Sequence, residues 1–358
     1  MMMERFEHGG NIYAEAPAGG RWLDFSANIN PLGLAPEVKE VIAQNIEGIV
    51  HYPDPAAREM KAALARHYGL PQEQLLLGNG AAELFYLLLH MVRPKRVGLP
   101  VPSFSDYQRA AEAVGAEVVF SPLLAVEDFQ VDTDRLKEEL GEVDCIFLGN
   151  PNNPTGKVLT REQLMAYLPF LKERGIWTVV DESFLDFLPD EKDYSVRDLV
   201  RTYRHLLVVR SLTKFYAMPG LRLGFASGHE SLIERLERGK DVWNVNSLAQ
   251  AAGVAALGLK EYHSKSRRFV QQEKDWLYAR LCEIRGLKPL RPSVNFIMTD
   301  VSQTGLTSAE LTARMRAQGV LVRDCANYAG LEGQQYIRLA VRTREENEQM
   351  LKALEAVV

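Results

Sequence analysis

The strongest chemical signal in the sequence is a lysine that follows an apolar run, in the string Ser211-Leu-Thr-Lys214. A lysine at the end of a buried strand is costly to desolvate unless its pKa falls or its amine enters a covalent bond. An amine activated in this way forms Schiff bases with carbonyl compounds. Arg222 lies eight residues after Lys214, so we expect a hydroxyl, an amine and a guanidinium close together. This combination suits a ligand that carries both an aldehyde and a phosphate.

Three further features follow apolar runs in the same way. Residues 78–83 (GNGAAE) place glycines at the start of a predicted helix, where backbone N–H groups attract phosphate. Residues 149–156 (GNPNNPTG) form a dense turn that presents Asn153, and Asp181 ends the run IWTVVD, where a carboxylate can hold a ring nitrogen protonated. Each feature alone also fits a plain turn, a sheet edge or a helix cap. Together they describe one pocket for pyridoxal 5'-phosphate (PLP).

Seven apolar runs between about residues 75 and 228 must position these side chains. They alternate with amphipathic segments and read LLLG, RVGLPV, AEVVF, CIFLG, IWTVVD, LLVVRS and LRLGFAS. Buried strands separated by helices predict an α/β fold with a mainly parallel seven-stranded sheet flanked by helices. Ligands of such sheets bind outside the carboxyl ends of the strands, where the polar residues named above follow their runs.

The pattern changes after Trp243, which predicts a second, smaller α+β domain. A long helical stretch (about 247–285) is followed by short strands and two more helices. We expect three parts: an N-terminal arm that belongs to the small domain, a large PLP-binding domain and a small C-terminal domain, spanning 1–45, 46–245 and 246–358. The arm lacks strong periodicity, so we expect it to pack against another part of the protein.

The composition excludes several functional classes. The net charge of −5, from 42 Lys+Arg and 47 Asp+Glu, argues against a broad polyanion-binding surface and hence against a nucleic-acid partner. Three widely spaced cysteines do not make a disulfide framework and suit a reducing compartment. No apolar run approaches the roughly 18 residues of a membrane span, and the first ten residues contain no apolar leader. We expect a cytoplasmic enzyme without a membrane partner or a metal.

Other kinds of site share parts of this pattern. The string Ser211-x-x-Lys214 also matches penicillin-binding proteins and class A β-lactamases, but the strings SDN and KTG that accompany it there do not occur. Residues 78–82 could open a dinucleotide site, although they lack the third glycine of that fingerprint. A non-catalytic binding protein with the PLP fold would be expected to lack the lysine or to carry a DNA-binding extension.

The spacing of NNPTG, DES and SLTK, with Arg222 and the later YIRLAVR, resembles fold-type I PLP enzymes of the class I/II aminotransferase superfamily over nearly the whole chain. The resemblance implies that Lys214 forms the Schiff base and that Asp181 pairs with the pyridine nitrogen. It also implies a homodimer with shared active sites, in which Tyr52 reaches the partner's cofactor phosphate. The other cofactor-binding residues implied are Gly80, Ala81, Ser211 and Arg222 at the phosphate, Asn153 at the ring hydroxyl and Phe104 on the ring face.

Three strings narrow the resemblance: HGGN (8–11), DFSANINPLG (24–33) and CANYAGL (325–331). They are similar to threonine-phosphate decarboxylases, which implies conversion of O-phospho-L-threonine to (R)-1-aminopropan-2-yl phosphate and CO2 in cobalamin biosynthesis. Phe184, where many superfamily members carry Tyr, is compatible with this group. Histidinol-phosphate aminotransferase is the alternative, because the same residues serve both reactions and the substrate's orientation decides. The substrate-binding residues implied are His8, Gly9, Asn28, Asn153, Arg323 and Arg338.

Overall fold

The computed structural model describes residues 8–13 and 20–358, which form three β-sheets and the helices around them. The strands are β1 (Leu23–Asp24), β2 (Leu75–Gly78), β3 (Arg96–Val101), β4 (Glu117–Pro122), β5 (Cys145–Gly149), β6 (Trp177–Asp181), β7 (Leu206–Ser211), β8 (Gly224–Gly228), β9 (Lys288–Pro289), β10 (Phe296–Asp300), β11 (Val320–Leu321), β12 (Arg323–Asp324) and β13 (Tyr336–Ala340). The α-helices are α1 (Pro36–Asn45), α2 (Arg58–Tyr68), α3 (Ala81–Val92), α4 (Ser105–Ala113), α5 (Thr133–Glu139), α6 (Arg161–Glu173), α7 (Glu230–Glu237), α8 (Ser247–Gly258), α9 (Lys260–Glu283), α10 (Ser308–Ala317) and α11 (Arg344–Val357).

The largest sheet has seven strands in the order β2-β8-β7-β6-β5-β3-β4. Strands β3 to β7 are parallel, and β8 is antiparallel to both of its neighbours. The predicted α/β fold with a mainly parallel seven-stranded sheet is therefore confirmed, and each predicted run overlaps one of these strands. The last strand begins at Gly224 rather than Leu221, because Pro219–Leu221 form a 3-10 turn and Arg222 has a left-handed φ of 59°.

Both faces of this sheet are covered by helices, which is why its strands are apolar on both sides. Val179 and Val209 contact the cluster that contains the leucines of α3, whereas Val180 and Val208 contact the cluster that contains those of α6. Helix α6 begins with a capping box between Thr160 and Gln163, as its sequence favours. Within the described ranges, no helix is both long and apolar enough to cross a membrane.

The C-terminal third carries a four-stranded antiparallel sheet in the order β12-β13-β10-β9. The described part of the N-terminal arm joins it, since β1 pairs in parallel with β11 and the carbonyl of Phe25 accepts a hydrogen bond from the amide of Ala340. The helical stretch predicted near 247–285 is two helices, interrupted at Leu259, and the arm contains the helix α1, which its weak periodicity did not predict. The domain boundaries stay predictions, and residues 1–7 and 14–19 of the arm lie outside the described residues.

Candidate active site

A cavity that opens to solvent lies at the carboxyl ends of β5, β6 and β7, with about 600 Å³ of empty space when the solvent at its mouth is included. Parallel strands bring residues that are distant in sequence to this one edge of the sheet. The cavity is lined by seven of the predicted cofactor-binding residues, namely Ala81, Phe104, Asn153, Asp181, Ser211, Lys214 and Arg222. The sequence-based interpretation of the strand ends as one pocket therefore agrees with the geometry, while the role of each residue stays a prediction.

Lys214 projects into this cavity from the loop after β7. Its Nζ donates a hydrogen bond of 3.1 Å to Oγ1 of Thr213, which is itself 2.6 Å from Oγ of Ser211. Burial lowers the pKa of Lys214 to about 8, the positive charge of Arg222 acts in the same direction, and Asp181 opposes them. The neutral amine is therefore far more abundant near neutral pH than for an ordinary lysine, which favours attack on an aldehyde.

Asp181 ends β6 and is held by two hydrogen bonds. Its Oδ2 accepts a bond of 2.6 Å from the hydroxyl of Tyr107, and its Oδ1 accepts one of 3.0 Å from the amide of Ser183. Burial raises the pKa of Asp181, and the hydrogen bonds from Ser183 and Tyr107 oppose that shift because they stabilise the carboxylate. Asp181 can thus pair with a cationic ring nitrogen inside the cavity.

Tyr107 is a site residue that the sequence interpretation missed. It lies on α4, three positions after Phe104, so both rings project from the same side of the helix start. The ring of Tyr107 stacks on Phe147 at 5.0 Å and meets Phe104 edge-on at 5.6 Å. The i, i+3 spacing of Phe104 and Tyr107 could have indicated that both rings face the same site. It does not identify Asp181 as the hydrogen-bond partner of Tyr107.

A cradle suited to phosphate lies where α3 begins. Gly80 is the N-cap of α3, has a φ of 80°, and provides no side-chain cap for the first amides of the helix. A Cβ at Gly80 would lie 2.2 Å from Nη2 of Arg222, so the guanidinium packs directly against the glycine backbone. A helix start, an arginine and the nearby Ser211 hydroxyl are the donors that a small phosphate needs. The residues present therefore fit the phosphate of PLP.

Phenylalanine side chains and the amide of Asn153 form part of the remaining cavity wall. Phe184 lines it without a hydroxyl group and packs edge-on against Phe296 at 5.0 Å. Asn153 lines the opposite part, and its Oδ1 accepts a hydrogen bond of 2.5 Å from Nη1 of Arg338. Phe104, at the start of α4, supplies an aromatic face. Asn153 thus connects the cavity to the second sheet.

Two buried arginines stand side by side on that sheet, because Arg323 of β12 and Arg338 of β13 are register partners. Each is only 5% exposed. Nη2 of Arg338 donates to the carbonyl of Ser26 at 2.7 Å, whereas Nη2 of Arg323 donates to Oδ1 of Asn327 at 2.7 Å. Nε of Arg338 is buried without a hydrogen-bond partner among residues 8–13 and 20–358. Two such guanidinium groups can bind two anionic groups of one small molecule.

The described part of the arm reaches the mouth of the cavity. Nε2 of His8 is 3.1 Å from Oδ1 of Asp106, and its ring lies 5.6 Å from that of Phe104. A second cavity of about 790 Å³ is lined by His8 and Gly9 together with Arg323. Asn28 is buried, and its Oδ1 also has no hydrogen-bond partner within the described ranges.

Two predicted cofactor residues do not line the cavity: Gly80, which precedes the lining residue Ala81, and Tyr52, which lies on the surface. Tyr52 is 76% exposed and stacks on Trp243 with ring centroids 4.2 Å apart. Tyr52 does not line the cavity of its own chain, and its contact with the cofactor of a partner subunit stays a prediction.

A buried ion cluster lies beneath the strand ends. The guanidinium of Arg210, next to Ser211, donates at 2.8 and 3.0 Å to Glu182, which is next to Asp181. It also contacts Asp186 at 3.0 Å and Glu191 at 2.9 Å. Burial opposes the charge of Arg210, yet the three carboxylates together raise its pKa well above its ordinary value. The cluster ties together the ends of β6 and β7.

Comparison with known proteins agrees with this arrangement. The family described as aminotransferase class I and II matches residues 20–354. The threonine-phosphate decarboxylase of Salmonella typhimurium is 36% identical to this chain over 357 residues, which cover 98% of this chain and 96% of the relative. A histidinol-phosphate aminotransferase structure from Clostridium acetobutylicum has a TM-score of 0.86 and 27% identity, covering 93% of this chain and 98% of that one. An L-threonine-O-3-phosphate decarboxylase structure from Porphyromonas gingivalis has a TM-score of 0.80 and 25% identity over the same shares. With the motifs, the sheet and the site in agreement, the chain belongs to the class I and II aminotransferase family.

Proposed function

We propose that this protein is a PLP-dependent decarboxylase that converts O-phospho-L-threonine to (R)-1-aminopropan-2-yl phosphate and CO2 in cobalamin biosynthesis. The observation that carries the proposal is the buried pair Arg323 and Arg338, of which Arg338 donates a hydrogen bond to Asn153 in the wall of the lysine cavity. O-phospho-L-threonine bears a carboxylate and a phosphate on a short carbon chain, which two neighbouring guanidinium groups can bind. The identity to a threonine-phosphate decarboxylase supports the same choice.

The cofactor follows from family membership, because class I and II aminotransferases are PLP-dependent. PLP, when bound, supplies an electron-withdrawing ring that stabilises the negative charge left at the substrate Cα. Lys214 would hold its aldehyde end and Asp181 its ring nitrogen. The residues that would hold the rest are Gly80, Ala81, Ser211 and Arg222 at the phosphate, Asn153 at the ring hydroxyl and Phe104 on the ring face.

Residues of this chain would decide which bond at the substrate Cα is broken. Arg323 and Arg338, with Asn28 and the His8–Gly9 segment, would fix the two anionic groups and so orient the bond between Cα and the carboxylate for cleavage. Asp181 keeps the proton on the ring nitrogen, since a carboxylate in a buried site stabilises an adjacent cation. Lys214 would return a proton to Cα after CO2 has left. The apolar wall formed by Phe104 and Phe184 excludes water from that carbon.

The decisive experiment is incubation of the PLP-loaded protein with O-phospho-L-threonine, with CO2 and aminopropanol phosphate both measured. We expect equal amounts of the two products without any keto acid. A Lys214→Ala variant is the matched control and should release neither product.

Histidinol-phosphate aminotransferase is the second candidate, because the high structural similarity to such an enzyme favours it. In that case the substrate would present its Cα–H bond to the cofactor ring. Turnover of histidinol phosphate that requires 2-oxoglutarate and releases no CO2 would replace the decarboxylase proposal. The two assays therefore separate the candidates on the same protein sample.

The proposal includes a homodimer with shared active sites. Exposed apolar side chains cluster in sequence around Tyr52, with Val50 78% exposed, and Tyr52 stacks on the exposed Trp243. Burying such a surface against a second copy would stabilise the pair. We expect a dimer in analytical ultracentrifugation. If Tyr52 serves the partner's site, mixing inactive Lys214→Ala and Tyr52→Ala chains should restore part of the activity, whereas no recovery after subunit exchange would contradict a shared site.

We also propose a cytoplasmic location. Cys145, Cys282 and Cys325 are all unpaired, and two of them are buried, as suits a reducing compartment. Cell fractionation followed by immunodetection would test this, and recovery from an oxidising compartment would contradict it.

A further inference from the structure

Tyr328 contacts both of the buried arginines. Its hydroxyl lies 3.3 Å from Nη1 of Arg338, and the guanidinium carbon of Arg323 lies 4.9 Å from the centre of its ring. Tyr328 is 4% exposed, so these contacts form in a largely dry environment where they are stronger than at the surface. One side chain therefore links the two groups that are proposed to bind the substrate's anions.

The loop that carries Tyr328 is anchored at its start and contains a hydrogen-bonded turn. The amide of Cys325 donates to the carbonyl of Tyr336 at 3.0 Å, and the amide of Leu331 donates to the carbonyl of Tyr328 at 3.1 Å. Gly330 has a φ of 84°, and a Cβ there would lie 3.0 Å from the side chain of Val101 at the end of β3. The loop thus bridges the arginine sheet and the cavity edge of the large sheet.

An arginine side chain has several rotatable bonds, and ordering it costs conformational entropy. Contacts already present before the substrate binds remove part of that cost. Arg338 is also held by Asn153 and Ser26, and Arg323 by Asn327. Tyr328 is in contact with both guanidinium groups, so it connects Arg323 to Arg338.

We propose that Tyr328 is a positioning residue that holds Arg323 and Arg338 at a fixed separation, so that the site selects small substrates with two anionic groups and presents the carboxylate for cleavage. This inference rests on the proposed decarboxylase function and adds a residue that determines its specificity. It also predicts that Tyr328 affects the fate of the substrate as well as its affinity, because the orientation at Cα decides between loss of CO2 and loss of the proton.

The experiment compares three variants of the PLP-loaded protein. Tyr328→Phe removes the hydroxyl and keeps the ring, while Tyr328→Leu removes both contacts. Tyr336→Phe is the matched control, since Tyr336 is buried in the same apolar cluster and its ring packs on Phe129 at 5.5 Å. The measurements are the thermal midpoint, PLP absorbance, KM and kcat for O-phospho-L-threonine, calorimetric binding of that compound, and the ratio of CO2 released to pyridoxamine phosphate formed.

We expect Tyr328→Phe to raise KM about 3- to 10-fold, which corresponds to the loss of one hydrogen bond of ordinary net strength, as suits the long contact of 3.3 Å. Tyr328→Leu should raise KM further and lower the ratio of CO2 to pyridoxamine phosphate several-fold, with the PLP absorbance unchanged. L-Threonine, which has the carboxylate alone, should lose less affinity than O-phospho-L-threonine. Tyr336→Phe should match the wild type in KM and in the product ratio.

The two possible failures are distinguishable. If the wild type releases CO2 and both Tyr328 variants match Tyr336→Phe in KM and product ratio, the positioning role is wrong and the proposed function stands. If the wild type neither binds nor decarboxylates O-phospho-L-threonine, both proposals are rejected. If it binds without turnover, the calorimetric affinities of the variants decide the positioning role alone.

Discussion

The hydroxyl of Tyr107 donates a hydrogen bond of 2.6 Å to Oδ2 of Asp181, and both side chains are buried. The two residues are 74 positions apart, and Tyr107 of α4 lies in the same apolar cluster as Val179 of β6, the strand that Asp181 ends. Without this donor, burial would raise the pKa of Asp181 further. Tyr107 therefore supports the charge that the proposed chemistry needs at the ring nitrogen.

Replacing Tyr107 with Phe should lower kcat/KM at neutral pH by at least about 10-fold, because a hydrogen bond to a charged group contributes roughly 1.5–3 kcal/mol. A higher pKa means that Asp181 takes up its proton at higher pH. The acid limb of the pH profile of kcat/KM should therefore move to higher pH. Tyr167→Phe is the control, since Tyr167 is fully buried and its hydroxyl has no hydrogen-bond partner in the described part of the chain. An unmoved acid limb in Tyr107→Phe would contradict this role.

Gly80→Ala should weaken PLP binding by at least about 10-fold. The new Cβ would lie 2.2 Å from Nη2 of Arg222 and would force the guanidinium away from the start of α3. Gly175→Ala is the matched control, because Gly175 also has a left-handed φ, 68°, but a Cβ there meets no described atom within 4 Å. Both variants should share a backbone cost of roughly 1–2 kcal/mol in stability, whereas PLP absorbance after dialysis should fall in Gly80→Ala alone.

The rate at which the apoprotein takes up PLP should rise with pH and level off above about 8. Lys214 reacts as the neutral amine, and burial, assisted by Arg222, lowers its pKa from 10.5 to about 8. A lowered lysine pKa means that the proton is lost at lower pH, so each unit below 8 should slow uptake about 10-fold. Stopped-flow absorbance between pH 6 and 10 measures this, and a midpoint near 10.5 would show an unperturbed amine.

Arg210→Met should destabilise the protein by about 3–5 kcal/mol, because it leaves buried carboxylates without their cation. Arg210 is 1% exposed, and Glu182, its closest partner, is fully buried. Arg238→Met is the control, since the ion pair of Arg238 with Glu234 is mostly exposed and should contribute less than about 1 kcal/mol. Urea unfolding measures both changes. Equal effects would show that the buried cluster does not tie β6 to β7.

The position of the lysine pocket followed from the sequence because strand ends are local features. Asp181 ends its apolar run and Lys214 follows its own, and parallel strands place such ends along one edge. The break at Leu259 was not predictable from periodicity, since apolar residues continue through α8 and α9. The helix α1 was missed because it has few apolar positions to form a periodic pattern, and only Val38 within it is fully buried.

The sequence by itself determined the parallel sheet, the family and the residues at the strand ends, because runs of buried residues and turn residues are encoded locally. The tertiary structure decided which side chains meet across long sequence separations. It placed Tyr107 on Asp181, Tyr328 between Arg323 and Arg338, and Arg210 among three carboxylates. Such contacts depend on how helices and sheets pack together, and no local pattern of residues specifies that packing.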